Sequence, residues 1–350
     1  MYYRKRKAHQ SNCSCCQQMA NANKWLTLTP RSAIFCITTI FWLARHVADC
    51  SGKCDELYDG VCAPFFSIVG TMKCGTNALS RYLLKHPQIV MDPYKELSFY
   101  SNPMNYPNRT SLVPESQMLK SSFLVAKTDW LNTFTFEHSP SYFRCPGCPD
   151  RLKALVPRAR IIIIVCEPVQ RFISQFYHER RTVLQKKEKE LQGKAVMARI
   201  QQDFYAQGLT NLEVDEFVRS AMDNGGSEHF KRILDSGFYE KYVPFWLHKF
   251  GPGRVLVVDS QDLKYKPEVV LTKVLDFLDI AVTSYPMGEI QVPEQYYVNP
   301  MEKSPLSRTA QNFLMAVYAR SIDYIKIKYD DIGGNWTENS FSYSYYGKPF

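Results

Sequence analysis

Apolar runs alternate with amphipathic stretches along the body of the chain. Phe65-Phe66-Ser67-Ile68-Val69 is largely apolar, runs into the Gly-bounded stretch Gly70-Thr71-Met72-Lys73-Cys74-Gly75, and is followed by the amphipathic opening Thr76-Asn77-Ala78-Leu79. This pattern predicts a strand, a tight loop and a helix over about Phe65 to Lys85. Ile161 to Val165 has no polar position, as expected of a parallel strand buried on both faces. Leu152 to Val156 reads as the end of a short helix before it. Tyr239 to Phe250 predicts a helix, Val255 to Val258 another parallel strand, and Val269 to Leu278 and Gln311 to Ile327 late helices. His178 to Lys194 is charged, basic-biased and helical in pattern, and the helical period continues to about Met222. Ser101 to Glu115 is rich in Pro and Asn and reads as loop. The alternation predicts an α/β fold: a P-loop-like, doubly wound parallel sheet flanked by helices, with ligands at the C-terminal ends of the strands.

The loop carries candidate chemistry. Its backbone N–H groups and the N-terminus of the following helix form an anion site, and Lys73 adds a mobile positive charge. A kinase-type loop reads G-x-x-x-x-G-K-[ST]. Gly70 and Gly75 keep that glycine spacing, but Lys73 precedes the second glycine and Thr76 follows it directly, which disfavours ATPase chemistry. The loop therefore points to a phosphorylated nucleotide from which an attached group is moved. An ordinary strand-to-helix turn is the competing reading of the loop alone.

Charge and cysteine usage change the picture at the N-terminus. The formal charge of +9 is concentrated there: Arg4, Lys5, Arg6, Lys7, Lys24, Arg31 and Arg45 all precede the first acid, Asp49. The rest of the chain is nearly neutral, so the excess is topological and no nucleic-acid partner is implied. Ser32 to Ala44 is apolar but shorter than a full span, and Trp25 to Leu28 could extend it if Arg31 snorkels. The preferred reading is a basic cytosolic tail over 1–30, a signal-anchor over 31–48, a short stem over 49–60, a lumenal domain over 61–335 and a tail over 336–350. A cleaved signal peptide is the alternative. Eleven cysteines fit a secretory route. Cys145-Pro146-Gly147-Cys148 is read as a loop disulfide rather than a redox motif or a zinc half-site, and no metal is expected. Asn108 and Asn335 open glycosylation sequons usable only in a lumen.

Further motifs follow the loop in order: His86-Pro87, Lys95-Glu96-Leu97-Ser98-Phe99, Glu137-His138-Ser139-Pro140, and Glu167-Pro168 leading to Arg171, Ser174 and Tyr177. Together with Gly237-Phe238-Tyr239 and the helix and strand after it, the chain from about 61 to 330 resembles the Golgi carbohydrate sulfotransferases, the heparan- and chondroitin-modifying type. The resemblance implies transfer of a sulfuryl group from 3′-phosphoadenosine 5′-phosphosulfate (PAPS) to a glycan hydroxyl, with an acidic polysaccharide as acceptor, by a single-pass type II protein of the Golgi membrane. It implies that Lys73, Cys74, Gly75, Thr76 and Asn77 hold the 5′-phosphosulfate, that Glu96 is the general base, and that His138 stands where relatives carry Lys. Ser174, at a helix start, and Arg171 would meet the 3′-phosphate. The departures are Cys166, where the family has an Arg, and the lack of the family's Gly- and Lys-rich closing loop, for which Lys303 to Arg308 is the nearest candidate. They motivate a second reading, a catalytically impaired glycan- or nucleotide-binding membrane protein. Arg180, Arg181, Lys186, Lys187, Lys189 and Lys194 are candidates for an acidic-glycan groove, or a solvated helix face.

Overall fold

The computed structural model describes residues 56–58, 61–62, 64–91, 96–106, 108, 110–112, 114, 133–191, 212–289 and 303–331. The basic tail, the anchor segment 31–48 and Asn335 lie outside these residues. Among the described residues, no helix is long and apolar enough to cross a membrane.

Five parallel strands make the central sheet: β3 Phe66–Gly70, β4 Ile89–Met91, β5 Phe134–His138, β6 Arg160–Val165 and β7 Val255–Asp259, in the order β4-β5-β3-β6-β7. The first strand of the unit, β3, is central. The chain winds to one side through β4 and β5, then to the other through β6 and β7, so the sheet is doubly wound. A small antiparallel hairpin, β1 Glu56–Tyr58 and β2 Val61–Cys62, precedes it, running from the end of the expected stem into the first residues of the expected domain.

The apolar run in β6 sorts by the two-residue period of a strand. Ile161, Ile163 and Val165 face a core shared with Trp246 and Phe250 of helix α6 (Tyr239–Phe250) and Leu152 of α2 (Cys148–Leu155). Ile162 and Ile164 face the other core, with Leu79 and Leu83 of α1 (Thr76–Leu83) and Leu271 and Leu275 of α8 (Pro267–Phe277). Burial on both faces is why this strand shows no polar position. A third cluster joins α3 (Pro168–Leu191), α4 (Val214–Asn224), α5 (Glu228–Asp235) and α9 (Arg308–Asp331) through Phe172, Phe176, Phe217, Phe230 and Leu314. The short helix α7 (Ser260–Tyr265) follows β7, capped by the Asp259 carboxylate on the Gln261 N–H at 2.9 Å.

Two boundaries differ from the sequence expectation for local reasons. Helix α8 begins two residues early because Pro267 supplies its first turn, where a missing N–H costs nothing. Helix α3 begins at Pro168, with the Glu167 carboxylate accepting from the N–H groups of Val169 (3.0 Å) and Gln170 (2.7 Å). Ser174 therefore lies well inside this helix and not at its start.

Candidate active site

The site is built where β3, β5 and β6 end side by side. The Gly70–Gly75 loop leaves β3 and delivers the chain into α1. Gly70 must be glycine because a Cβ there would lie 2.5 Å from the Cβ of Phe143. Gly75 precedes α1 in a left-handed conformation (φ 95°), which glycine adopts without steric cost. Helix α1 has no acidic residue in its first turn and no side-chain cap at its N-terminus. The N–H groups of its first residues, Thr76 and Asn77, have no acceptor within the helix. They and the Gly75 N–H open the positive end of the helix dipole towards the loop. Lys73 sits in the loop with φ 72°. The Thr71 N–H donates to Ile164 O at 2.8 Å, tying the loop's start to β6, while the Thr71 hydroxyl is fully buried and has no partner among the described residues. Orphaned buried hydroxyl, open N–H groups and lysine together fit a phosphate or phosphosulfate group.

Two assigned residues are corrected by this geometry. Cys74 offers no group to a ligand, because its sulfur is bonded to Cys166 and its N–H closes a turn on Thr71 O at 3.1 Å. Arg171 is 1% exposed. Its guanidinium donates to Gln175, to Ile233 O at 2.5 Å and to the Tyr318 hydroxyl at 3.3 Å, so it knits α3 to α5 and α9. The same packing engages Arg180, which is paired with Glu213 at 2.9 Å.

The segment carrying Glu96 is held by a buried network. Glu96 and Ser98 both have positive φ, and the Glu96 side chain is exposed. The Ser98 N–H donates to Ser139 Oγ (3.0 Å) and the Tyr100 N–H to the Tyr142 hydroxyl (3.2 Å). Both hydroxyls in turn donate to Oε1 of Glu137, at 2.5 and 2.6 Å. Burial, then the Glu137 charge, pushes the Tyr142 phenol well above its usual pKa, so it remains a donor. Glu137 and His138 are the last two residues of β5, and His138 is itself 1% exposed. His86, from the His-Pro step, is also buried: Nδ1 accepts from the Gln88 N–H at 3.1 Å and Nε2 lies 3.2 Å from Ala281 O, which fixes the approach to β4.

Like Thr71 and Glu137, His178 escaped the sequence reading. Burial, followed by the positive charges of Lys73 and Arg181, holds the His178 imidazole below its usual pKa. The loop lysine thus acts on His178 through its charge. It lies four residues beyond Ser174, so the two share a face of α3. That spacing was the available signal. The segment 303–307 is tied down beside this helix, with the Ser304 N–H on the Tyr177 hydroxyl (2.8 Å) and the Ser307 N–H on Asp215 (2.8 Å). Cys145 and Cys148 are bonded to each other at the entry to α2.

Comparison with known proteins agrees with this architecture. Residues 65–343 match the sulfotransferase domain family, and the chain belongs to it. It is 27% identical over 232 residues to human bifunctional heparan sulfate N-deacetylase/N-sulfotransferase 3, a match covering 65% of this chain and 23% of that protein. It is 24% identical over 323 residues to the membrane-associated sulfotransferase kil1 of Dictyostelium discoideum, covering 75% of this chain and 64% of the relative. The chain thus spans about a quarter of the length of the heparan sulfate relative it matches. A sulfotransferase from Alicyclobacillus acidocaldarius shares the fold, with a TM-score of 0.50 at 21% identity, covering 79% of this chain and 98% of that one.

Proposed function

We propose that this protein transfers the sulfuryl group of PAPS to a glycan hydroxyl, with a glycosaminoglycan-like acidic polysaccharide as acceptor, as a single-pass type II protein of the Golgi membrane. The observation that carries the reading is the loop itself: Lys73 between Gly70 and Gly75, at the end of the central strand and against an α1 N-terminus free of acidic residues. PAPS supplies the activated sulfuryl group. Lys73, the N–H groups of Gly75, Thr76 and Asn77, and the Thr71 and Thr76 hydroxyls hold its 5′ end, and a fixed cation there favours the charge that grows on the leaving oxygen. Glu96, presented by the network under Ser98 and Tyr100, takes the proton of the acceptor hydroxyl. His138 adds a donor at the end of β5. Ser174, on the His178 face of α3, meets the 3′-phosphate, and the tied-down 303–307 segment brings Lys303 to the same helix. No step calls for a metal. Asn108 is proposed as a glycosylation site: it is exposed, and its Oδ1 accepts from the Thr110 N–H (3.1 Å) and hydroxyl (2.8 Å). Asn335 is the second.

The test is sulfate transfer from labelled PAPS by the full chain in detergent, offered desulfated glycosaminoglycans. The name of the heparan sulfate relative specifies N-sulfotransfer, so acceptors with free amino groups stand in the panel beside those with hydroxyls only. Transfer that is lost in Lys73→Ala and Glu96→Ala is the expected result. Binding of 3′-phosphoadenosine 5′-phosphate (PAP) with no transfer to any acceptor would favour the catalytically impaired reading, and a folded protein that binds no PAP would refute the sulfotransferase reading.

A further inference from the structure

We infer that the Cys74–Cys166 disulfide positions the phosphate loop, so that nucleotide affinity depends on the oxidation state of this one pair. The proposal rests on the sulfotransferase reading above and goes beyond it by naming what sets the loop. The two cysteines are 92 positions apart in sequence, and their Cα atoms lie 5.4 Å apart. Cys74 follows Lys73 directly and is 1% exposed, and Cys166 is the first residue beyond β6. The Thr71 N–H ties the loop's start to Ile164, and the disulfide ties its far end to the same strand. Between these two attachments lies Lys73, in a left-handed conformation that a lysine adopts only when its surroundings impose it.

The bond has its own support. Tyr239, the first residue of α6, is fully buried, and burial pushes its phenol well above the usual pKa. The hydroxyl donates to Cys166 O at 2.8 Å and lies 3.6 Å from Cys74 Sγ and 3.9 Å from Cys166 Sγ. A third element therefore seats both sulfurs. A disulfide is neutral and offers no charge to a phosphate, so its contribution is order. If the untied loop holds the receptive arrangement a tenth of the time, apparent affinity falls about tenfold.

The step that would release the loop is a two-electron thiol–disulfide exchange with a dithiol. The thiolate attacks Sγ of Cys166, the less buried of the two residues, and the S–S bond breaks. Cys74 leaves as a thiolate and takes a proton. The second thiol of the reductant then displaces Cys166, giving two cysteine thiols and the oxidised reductant.

The experiment measures PAP binding by calorimetry on the full chain, oxidised and after dithiothreitol, with the freed thiols identified by alkylation and mass spectrometry. Cys74→Ser/Cys166→Ser is compared with Cys145→Ser/Cys148→Ser. The expected result is about tenfold weaker PAP binding on reduction and in the first double variant, unchanged near-ultraviolet circular dichroism, and recovery on reoxidation. The KM for PAPS rises while that for the acceptor stays, and the second double variant binds PAP like the wild type. Should the first variant fail to fold, the reduced wild type reads the same quantity. Unchanged affinity with both thiols freed would overturn the proposal. So would loss of binding together with the near-ultraviolet signal, which would make the bond a support of the whole fold. An oxidised wild type that binds no PAP would instead overturn the sulfotransferase reading, and this proposal with it.

Discussion

Removing the carboxylate of Glu137 tests how the candidate base is held. Glu137 is 1% exposed, and its Oε1 accepts two hydroxyl hydrogen bonds, from Ser139 and Tyr142. Those same oxygens accept the backbone N–H groups of Ser98 and Tyr100, so the carboxylate orders the segment that carries Glu96 through one intermediate on each side. A hydrogen bond to a charged acceptor contributes about 1.5–3 kcal/mol net and a neutral one about 0.5–1.5 kcal/mol. Glu137→Gln keeps an acceptor and loses only the charge assistance, about 2 kcal/mol over the two bonds. Glu137→Ala leaves both hydroxyls without their acceptor and costs about 4 kcal/mol. If about 2 kcal/mol of that falls on the placement of Glu96, kcat drops about thirtyfold. The assays are the denaturation midpoint, kcat for sulfate transfer, and PAP affinity for the wild type and both variants. The expected order of kcat is wild type, then Gln, then Ala, with PAP affinity unchanged, because the phosphate loop is built on β3 and α1. A Glu137→Ala protein with wild-type kcat would refute the reasoning. So would a fall in PAP affinity in step with kcat, since the whole strand-end region would then have been lost.

Three other outcomes follow from the geometry. Arg171→Met should lower stability by about 3 kcal/mol, because Ile233 O, Gln175 and Tyr318 lose a buried charged donor, while PAP affinity stays within twofold; calorimetry separates this from a phosphate-binding role. Gly70→Ala should cost about 2 kcal/mol and weaken PAP binding, since its Cβ would meet Phe143 at 2.5 Å and the buried ring cannot retreat without moving the loop; unfolding curves with and without PAP read both effects. Burial raises the Asp259 carboxyl to about 7 from 3.8. Between those values the folded state keeps a proton that the unfolded state has released, so stability falls as pH rises through the window, by up to about 4 kcal/mol. Asp259→Asn keeps an oxygen for the Gln261 N–H and should flatten that fall, measured as the difference in unfolding free energy between about pH 4 and about pH 8.

The sequence by itself determined the layered architecture, because its signals are local. The unbroken apolar run at Ile161 to Val165 requires cover on both faces, and the alternation around it requires a wound parallel sheet. Gly70, Lys73 and Gly75 stand close enough in sequence to define a loop geometry before any neighbour is known. Cys145 and Cys148, three positions apart, bond within one turn. The tertiary structure decided what depends on partners distant in the chain. Arg171 and Ser174 stand on one helix with similar credentials for a phosphate, and only the packing of α5 and α9 against α3 turned Arg171 inward to carbonyl and hydroxyl acceptors. Glu137 reads as one acid among many until Ser139 and Tyr142 close on it at the end of β5. Cys166 looks like a lost positive charge until the sheet places β6 beside β3 and brings Cys74 across a 92-residue separation to meet it. Local patterns fix backbone conformation because the responsible contacts lie within a few residues. The chemistry of a buried side chain is set by whatever the folded sheet brings against it, and that information resides in no single stretch of the chain.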